Sequence, residues 1–393
     1  MATINKNFLN LKNRYLFTEI ERRKNKFIKE NPNSDLIDMG VGDVTLPLCD
    51  EVIKAMHAAV DEMRCSDTFR GYGPEQGYKF LREKIREDYL EKGVELTGDE
   101  IFISDGAGND LGNLNDILGE DNSVLITDPV YPAYADINIM DGRKISFLGA
   151  TEENGFLPLP PEEKYDVIYL CTPNNPTGAA YNYEQLRCWV DYANKNDSII
   201  ICDSAYEGFV RENCPRSIYE IHGAKTCAIE ICSYSKTAGF TGLRCGYTVV
   251  PNELVRDEVQ LRSLWMRRQS TKTNGVSYVT QKAAEAIYTE NGRKEIKENL
   301  DFYLENAKII TDAMKRIGVK FTGGVSSPYI WIKCPENLSG WDFFDFALEK
   351  AHIVITPGDG FGENGCGYFR LTAFSTREKT LEAMERFEKI LIA

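Results

Sequence analysis

Five compact apolar runs lie between residues 101 and 235: IFIS (101–104), VLITD (124–128), DVIYLC (166–171), SIIICD (198–203) and CAIEICSYS (227–235). A strand with one wet face alternates apolar and polar residues, and these runs do not. Near-continuous apolar strands require a sheet covered on both faces, which takes helices from crossover connections. Each of the first four runs is followed by turn residues and, further on, a stretch with helical spacing. The chain is therefore expected to be α/β, built on a mostly parallel, doubly wound sheet. Polar residues gather at the carboxyl ends of the runs: Asp105, Asp128, Asn174, Asp203 and Ser235. In open α/β sheets that edge is where ligands bind.

The flanks read differently. Residues 16–30, 50–63 and 78–92 carry apolar positions at helical spacing, and LIDMGVGDV (36–44) reads as a short strand ending in glycines. Residues 276–316 read as one or two long helices. After them, KFTGGVSSPYIWIKC and GYFRLTAFS suggest strands of a smaller α+β unit, with which the N-terminal arm would pack. At 393 residues the chain is too long for one ordinary core. The expected division is 1–44 as arm and part of the small domain, 45–290 as the large domain, and 291–393 as the small C-terminal domain.

A net charge of −14 opposes binding to phosphate backbones or anionic lipid. No apolar run reaches membrane-spanning length, and the opening MATINKNFLNLKNRY lacks the apolar segment of a secretion signal. The 11 cysteines form no CxxC pair, and the 3 histidines lie far apart, so no metal site is expected. Reduced, mostly buried thiols in a cytoplasmic protein follow.

Three motifs carry chemistry. In SYSKTAGFTGLRCGY (233–247) a lysine follows a strand, with Ser233 three residues before it and Arg244 eight after. Ser233, Lys236 and Arg244 converge if the chain folds back at Gly239 and Gly242. An amine, a hydroxyl and a guanidinium together suit an aldehyde cofactor bearing a phosphate; the bland alternative is a surface lysine in a loop. In CTPNNPTG (171–178) an Asn-Pro turn projects Asn175 toward the sheet edge, or is an ordinary turn. In IIICDSAYEGF (199–209) Asp203 ends a very apolar strand, where a carboxylate is costly unless a cation pairs with it. A protonated pyridine nitrogen would serve, and Tyr206 could reach the same ligand. The alternative is an aspartate capping the next helix.

Lys236 within SYSK, PNNPTG, Asp203 with Tyr206, and the late GYFRL occur in an order and at separations that resemble the fold-type I, class I/II aminotransferases. YLFTEI (15–20), GVGDVTLPL (40–48), FRGYGPEQGY (69–78), TDPVYPAY (127–134), SIYEI (217–221), TKTNGVSYVTQ (271–281), PYIWIK (328–333) and WDFFD (341–345) extend the likeness over nearly the whole chain, to the LL-diaminopimelate aminotransferase family.

The resemblance implies a fold-type I transferase dependent on pyridoxal 5′-phosphate (PLP), with amino-acid and 2-oxo-acid substrates and a homodimer sharing its sites across the interface. It implies that Lys236 carries PLP as a Schiff base and shuttles a proton between substrate Cα and coenzyme C4′. Asp203 would pair with the pyridine nitrogen, and Tyr206 and Asn175 would bond the ring's 3-oxygen. Tyr131 would stack on the ring (or be a core tyrosine). Ser233, Arg244 and the backbone of Gly106, Ala107 and Gly108 would hold the phosphate. Arg370 would grip the substrate α-carboxylate; without the other motifs it would read as a surface ion pair. Tyr72 would reach the neighbouring subunit's phosphate, and Glu75 would read the distal ammonium across the dimer. Asn274 and Tyr15 would surround the distal carboxylate, and Gly42 would allow close approach of the backbone to substrate.

Two positions depart from the pattern. Gly108 stands where the family usually has a lysine, removing one positive charge while keeping the backbone N–H. Thr273 replaces a usual aromatic before Asn274. These leave open an aminotransferase of broader or different substrate, of aspartate, aromatic or lysine type. A non-enzymatic PLP-binding regulator is a more remote reading, because no segment before Tyr15 is long enough for a DNA-binding module. GYGPEQG does not fit the dinucleotide pattern, since its third glycine comes one position late.

Overall fold

The computed structural model describes residues 1–11, 15–211, 213–335 and 338–392. Leu16–Glu30 forms α1, whose buried Leu16, Ile20 and Phe27 make one apolar stripe. Ile37–Asp38 is β1, Asp50–Glu62 is α2 and Lys79–Glu91 is α3. The large sheet then begins. Ile101–Ser104 (β2) leads to Ala107–Asn113 (α4), Val124–Asp128 (β3) to Ala133–Met140 (α5), and Ile145–Gly149 is β4. Val167–Cys171 (β5) is followed by Tyr183–Asn196 (α6), then Ile199–Asp203 (β6), Ala228–Ser233 (β7), Tyr234–Thr237 (α7) and Gly246–Val249 (β8). The side chains of Asn182 and Gln185 cap α6 reciprocally, which fixes where that helix starts.

The sheet order is β2-β8-β7-β6-β5-β3-β4. β4, β3, β5, β6 and β7 run parallel, while β8 is antiparallel to both β2 and β7. All residues of β2, β3, β5, β6, β7 and β8 are buried, as expected of strands covered on both faces. β4 and β8 complete the sheet beyond the five apolar runs. One expectation needs correction: among the described residues no α-helix lies between β6 and β7. Short 3-10 turns at Glu207–Phe209, Ile218–Glu220 and Ala224–Thr226 fill the connection, because Gly208, Pro215 and Gly223 interrupt any longer helix. Asp203 is therefore not an α-helix cap.

A small hairpin, Val255–Arg256 (β9) with Val259–Gln260 (β10), precedes Leu261–Lys272 (α8) and Tyr278–Ala286 (α9). Glu290–Ile317 (α10) is capped by Thr289 and ends at Gly318, whose φ of +81° suits glycine. Beyond it, Phe321–Gly323 (β11), Tyr329–Lys333 (β12), Thr356–Pro357 (β14) and Tyr368–Thr372 (β15) form a second, antiparallel sheet in the order β11-β12-β15-β14. Gly340–Ala351 (α11) and Arg377–Ile392 (α12) belong to this part, and Ile353–Val354 (β13) pairs in parallel with β1. The arm divides. α1 reaches this second unit through Arg23, which pairs with Asp345 at 2.6 Å and covers the Trp341 ring. Residues 5–10 lie instead on α5, where Asn5 and Asn7 donate to the Met140 carbonyl. No described helix is long and apolar enough to cross a membrane. Seven of the 11 cysteines are buried.

Candidate functional site

The parallel strands end on one edge, and a cavity of about 490 Å³ opens there. β6 delivers Asp203 into it, β7 and α7 deliver Ser233, Ser235 and Lys236, and the turn after β5 delivers Asn175. Asn174 holds that turn, its amide donating to the Pro129 carbonyl and to Thr177 Oγ1. Lys236, Asp203, Tyr206, Tyr131, Asn175, Ser233, Arg244, Ala107, Gly108, Gly42 and Arg370 from the sequence reading all line this one cavity.

Asp203 is 6 % exposed. Its Oδ1 accepts from the Ala205 amide at 3.0 Å and its Oδ2 from the Tyr134 hydroxyl at 2.6 Å. Burial pushes its carboxyl above the usual range, and those two hydrogen bonds only partly oppose the shift. Among the described residues no cation pairs with it, so a cationic ring nitrogen in the cavity would meet an uncompensated acid. Lys236 donates to the Gly42 carbonyl. Burial lowers its amine to about 8, with Asp43 opposing the shift and the Arg370 and Arg244 charges adding to it. About a tenth of such an amine is unprotonated at pH 7, far more than for an ordinary lysine, and that fraction can act as a nucleophile.

At one end Arg244, Ser235, Ser233 and the start of α4 come together. Arg244 Nη1 donates to Ser235 Oγ at 3.3 Å and to the Thr241 carbonyl at 3.1 Å. Gly106 has φ +131°, and a Cβ there would sit 2.5 Å from Arg244 Nη2, so only glycine lets the guanidinium approach the helix start. A cationic fork, two hydroxyls and free N–H groups fit a phosphate.

At the other end Arg370 is 1 % exposed and far from the surface ion pair that its motif alone would suggest. Nη1 donates to Asn175 Oδ1 at 2.5 Å and Nη2 to the Gly40 carbonyl at 2.8 Å and Thr356 Oγ1 at 3.3 Å. Its Nε has no partner, and no described carboxylate neutralises it. The guanidinium carbon lies 4.2 Å from the Tyr329 ring centroid. Tyr329 and Tyr206 hydroxyls meet at 2.9 Å, and burial drives both phenols up. A Cβ on Gly42 would lie 2.9 Å from Tyr329 Oη and 3.7 Å from Arg370 Nη2, so this glycine leaves open the space in front of the guanidinium.

Sequence reasoning missed Tyr134, Tyr329 and Ser235 as parts of the site. Their signals were present: Tyr134 sits three residues after Tyr131, Ser235 abuts Lys236, and Tyr329 lies in PYIWIK. Tyr15 lines a separate cavity of about 1140 Å³ that shares Tyr131 with the first. Burial and contact with Tyr131 raise its phenol. Tyr72, Glu75 and Asn274 do not line the cleft of their own chain. Tyr72 is 91 % exposed, and Glu75 and Asn274 are exposed too. Their two loops touch, since a Cβ on Gly275 would meet the Pro74 carbonyl at 2.9 Å. No group of three or more metal-ligating side chains occurs among the described residues.

The family model for aminotransferase class I and II matches residues 34–387. An LL-diaminopimelate aminotransferase of Methanosphaera stadtmanae is 54 % identical over 405 residues, covering 98 % of each chain. One from Bacteroides fragilis is 50 % identical over 410 residues, covering all of both. Among solved structures, an L,L-diaminopimelate aminotransferase from Chlamydomonas reinhardtii superposes with a TM-score of 0.94 at 38 % identity, over 99 % of this chain and 98 % of that one.

Proposed function

The chain belongs to the class I and II aminotransferases, and from that premise we propose that it moves an amino group from LL-2,6-diaminopimelate to 2-oxoglutarate, yielding tetrahydrodipicolinate, water and glutamate. The substrate assignment is supported by full-length relatives of 50–54 % identity that carry the activity in their names. The chemistry is supported above all by one observation: a buried, cation-free Asp203 faces the same cavity as a partly unprotonated Lys236.

Aminotransferases of this family depend on PLP. Bound, PLP supplies an aldehyde that joins amines covalently and a ring that withdraws electrons when its nitrogen is protonated. Lys236 would hold the aldehyde carbon and, once released by substrate, carry the proton between substrate Cα and coenzyme C4′. Asp203 would keep the ring nitrogen protonated. Tyr206 and the Asn175 amide NH2, whose oxygen is turned to Arg370, would donate to the 3-oxygen. Tyr131 would cover a ring face. Ser233, Ser235, Arg244 and the backbone at Gly106, Ala107 and Gly108 would hold the phosphate. Arg370 would take the α-carboxylate in a two-pronged grip that fixes which bond at Cα is broken. A homodimer would bring Tyr72, Glu75 and Asn274 to the partner's cleft, Glu75 at the distal ammonium and Asn274 with Tyr15 near the distal carboxylate. The enzyme would act in the cytoplasm, with the large domain at 45–290 and residues 1–44 and 291–393 outside it.

The test is an assay of the purified protein with LL-diaminopimelate, lysine and aspartate as donors, alongside borohydride trapping and peptide mapping. A trapped adduct at Lys236 with preference for LL-diaminopimelate is expected. Comparable turnover of all three donors would favour the broader aminotransferase, and an adduct elsewhere would overturn the site.

A further inference from the structure

We propose that Tyr134 is a positioning residue for the reaction: its hydroxyl holds Asp203 as a carboxylate aimed at the coenzyme's ring nitrogen. This rests on the coenzyme reading given above. Tyr134 is fully buried, and its hydroxyl lies 2.6 Å from Asp203 Oδ2. The other oxygen takes a single backbone N–H, from Ala205 at 3.0 Å. The two donors therefore satisfy one lone pair on each oxygen and leave the remaining lone pairs for the cavity.

The tyrosine is itself held on several sides. Its ring stacks on Tyr169 at 5.4 Å and 25° and meets Tyr131 edge-on at 5.8 Å and 83°. Its carbonyl accepts from the Asn138 amide at 2.8 Å, one turn further along α5. The turn entering α5 and the start of the helix thus supply two groups to the cleft at once: Tyr131 on the cavity wall and, three residues later, the donor behind Asp203. A shift of this turn would move both.

The physical role follows from competition for one proton. In an apolar site an acid and a pyridine nitrogen contend for it. A donor on the carboxylate favours the ionised acid and so leaves the proton on the nitrogen. Replacing Tyr134 by phenylalanine keeps the ring packing and deletes only that donor. The proton then moves toward the acid, the ring loses positive charge, and the nitrogen that would join Lys236 to the coenzyme becomes easier to protonate.

The experiment compares wild type, Tyr134→Phe and Tyr134→His, each loaded with PLP. The visible absorbance of the bound coenzyme is titrated against pH, and kcat and KM are measured for the amino donor. In Tyr134→Phe the absorbance titration should move upward by about one pH unit, and kcat should fall roughly tenfold to a hundredfold, the worth of a hydrogen bond to a charged group. KM should change little, because Arg370 is untouched. Tyr134→His, which restores a donor, should recover part of both effects. A Tyr134→Phe titration and kcat within twofold of wild type would overturn the proposal. So would failure of both variants to fold, since Tyr134 would then be a packing residue. If the wild type gave no borohydride-trapped adduct at Lys236, the coenzyme reading would fall and this proposal with it; a trapped wild type with an unshifted phenylalanine variant would sink this proposal alone.

Discussion

Replacing Arg370 separates its proposed part in binding from its part in the fold, because the two terms of the latter nearly cancel. In the structure this fully buried guanidinium spends its hydrogen bonds on neutral acceptors, Asn175 Oδ1, the Gly40 carbonyl and Thr356 Oγ1, and no described carboxylate offsets its charge. Arg370→Met deserts those acceptors, at about 1–3 kcal/mol for each one left dry. It also removes an unpaired buried cation, whose presence costs several kcal/mol. The two nearly cancel, so the melting temperature of the coenzyme-free variant should stay within a few degrees of wild type. Binding has no such compensation. Two charge-assisted hydrogen bonds to a substrate carboxylate are worth about 1.5–3 kcal/mol each. At about 1.4 kcal/mol per decade, kcat/KM should drop by roughly 10² to 10⁴. Arg370→Lys keeps the charge but loses the fork, and should recover about half of that loss on a logarithmic scale. Steady-state kinetics with the amino donor and with 2-oxoglutarate, together with thermal melts, read both quantities. A methionine variant that melts like wild type and loses less than fivefold in kcat/KM for both substrates would refute the reasoning.

Other predictions follow the same geometry. The rate of PLP capture by coenzyme-free protein should rise with pH through about 8, the value burial gives Lys236, and level off above it; a rise continuing into the ordinary lysine range would contradict the buried amine. Because that amine binds its proton less tightly folded than unfolded, the coenzyme-free protein should gain stability between pH 8 and the ordinary lysine range, as denaturant titrations can measure. Asp203 has the opposite linkage: its raised carboxyl holds a proton more tightly in the fold, so its contribution to coenzyme-free stability falls as pH climbs from the unfolded aspartate range to the folded one, and Asp203→Asn should remove that slope. Gly42→Ala puts a methyl 2.9 Å from Tyr329 Oη and should raise KM for the amino donor by about ten- to a hundredfold while leaving the fold intact. Glu75→Gln should lower kcat/KM for LL-diaminopimelate at least about tenfold more than for aspartate, as loss of a charged contact implies; equal losses would remove Glu75 from the distal site.

How much of this was readable in the chain depends on how local each signal is. The apolar runs at 101–104, 124–128, 166–171, 198–203 and 227–235 announce strands buried on both faces, because a residue's burial shows in its own identity. β8 was hidden: GYTV follows directly on the Lys236–Arg244 loop, and its antiparallel insertion between β2 and β7 is a choice of partners that no four residues encode. The missing helix after β6 reflects Gly208, Pro215 and Gly223, which were visible but were outweighed by the regularity of the preceding units. Asp203 stood out because a carboxylate ending an apolar strand is anomalous. Tyr134 and Tyr329 did not, because tyrosines in a 20-tyrosine chain look like core, and only distances of 2.6 and 2.9 Å to particular partners set them apart.

The cleft draws Gly42 from near the start of the chain, Lys236 from its middle and Arg370 from close to its end. A nascent chain that ends before β15 lacks the Arg370 guanidinium, and one that ends before α7 lacks the Lys236 amine. A ligand that needs all three therefore meets its whole site only in the finished chain. Occupancy by such a ligand would add stability that grows with the logarithm of its free concentration over its dissociation constant. Full-length protein kept from the proposed coenzyme should be more protease-sensitive than the loaded form.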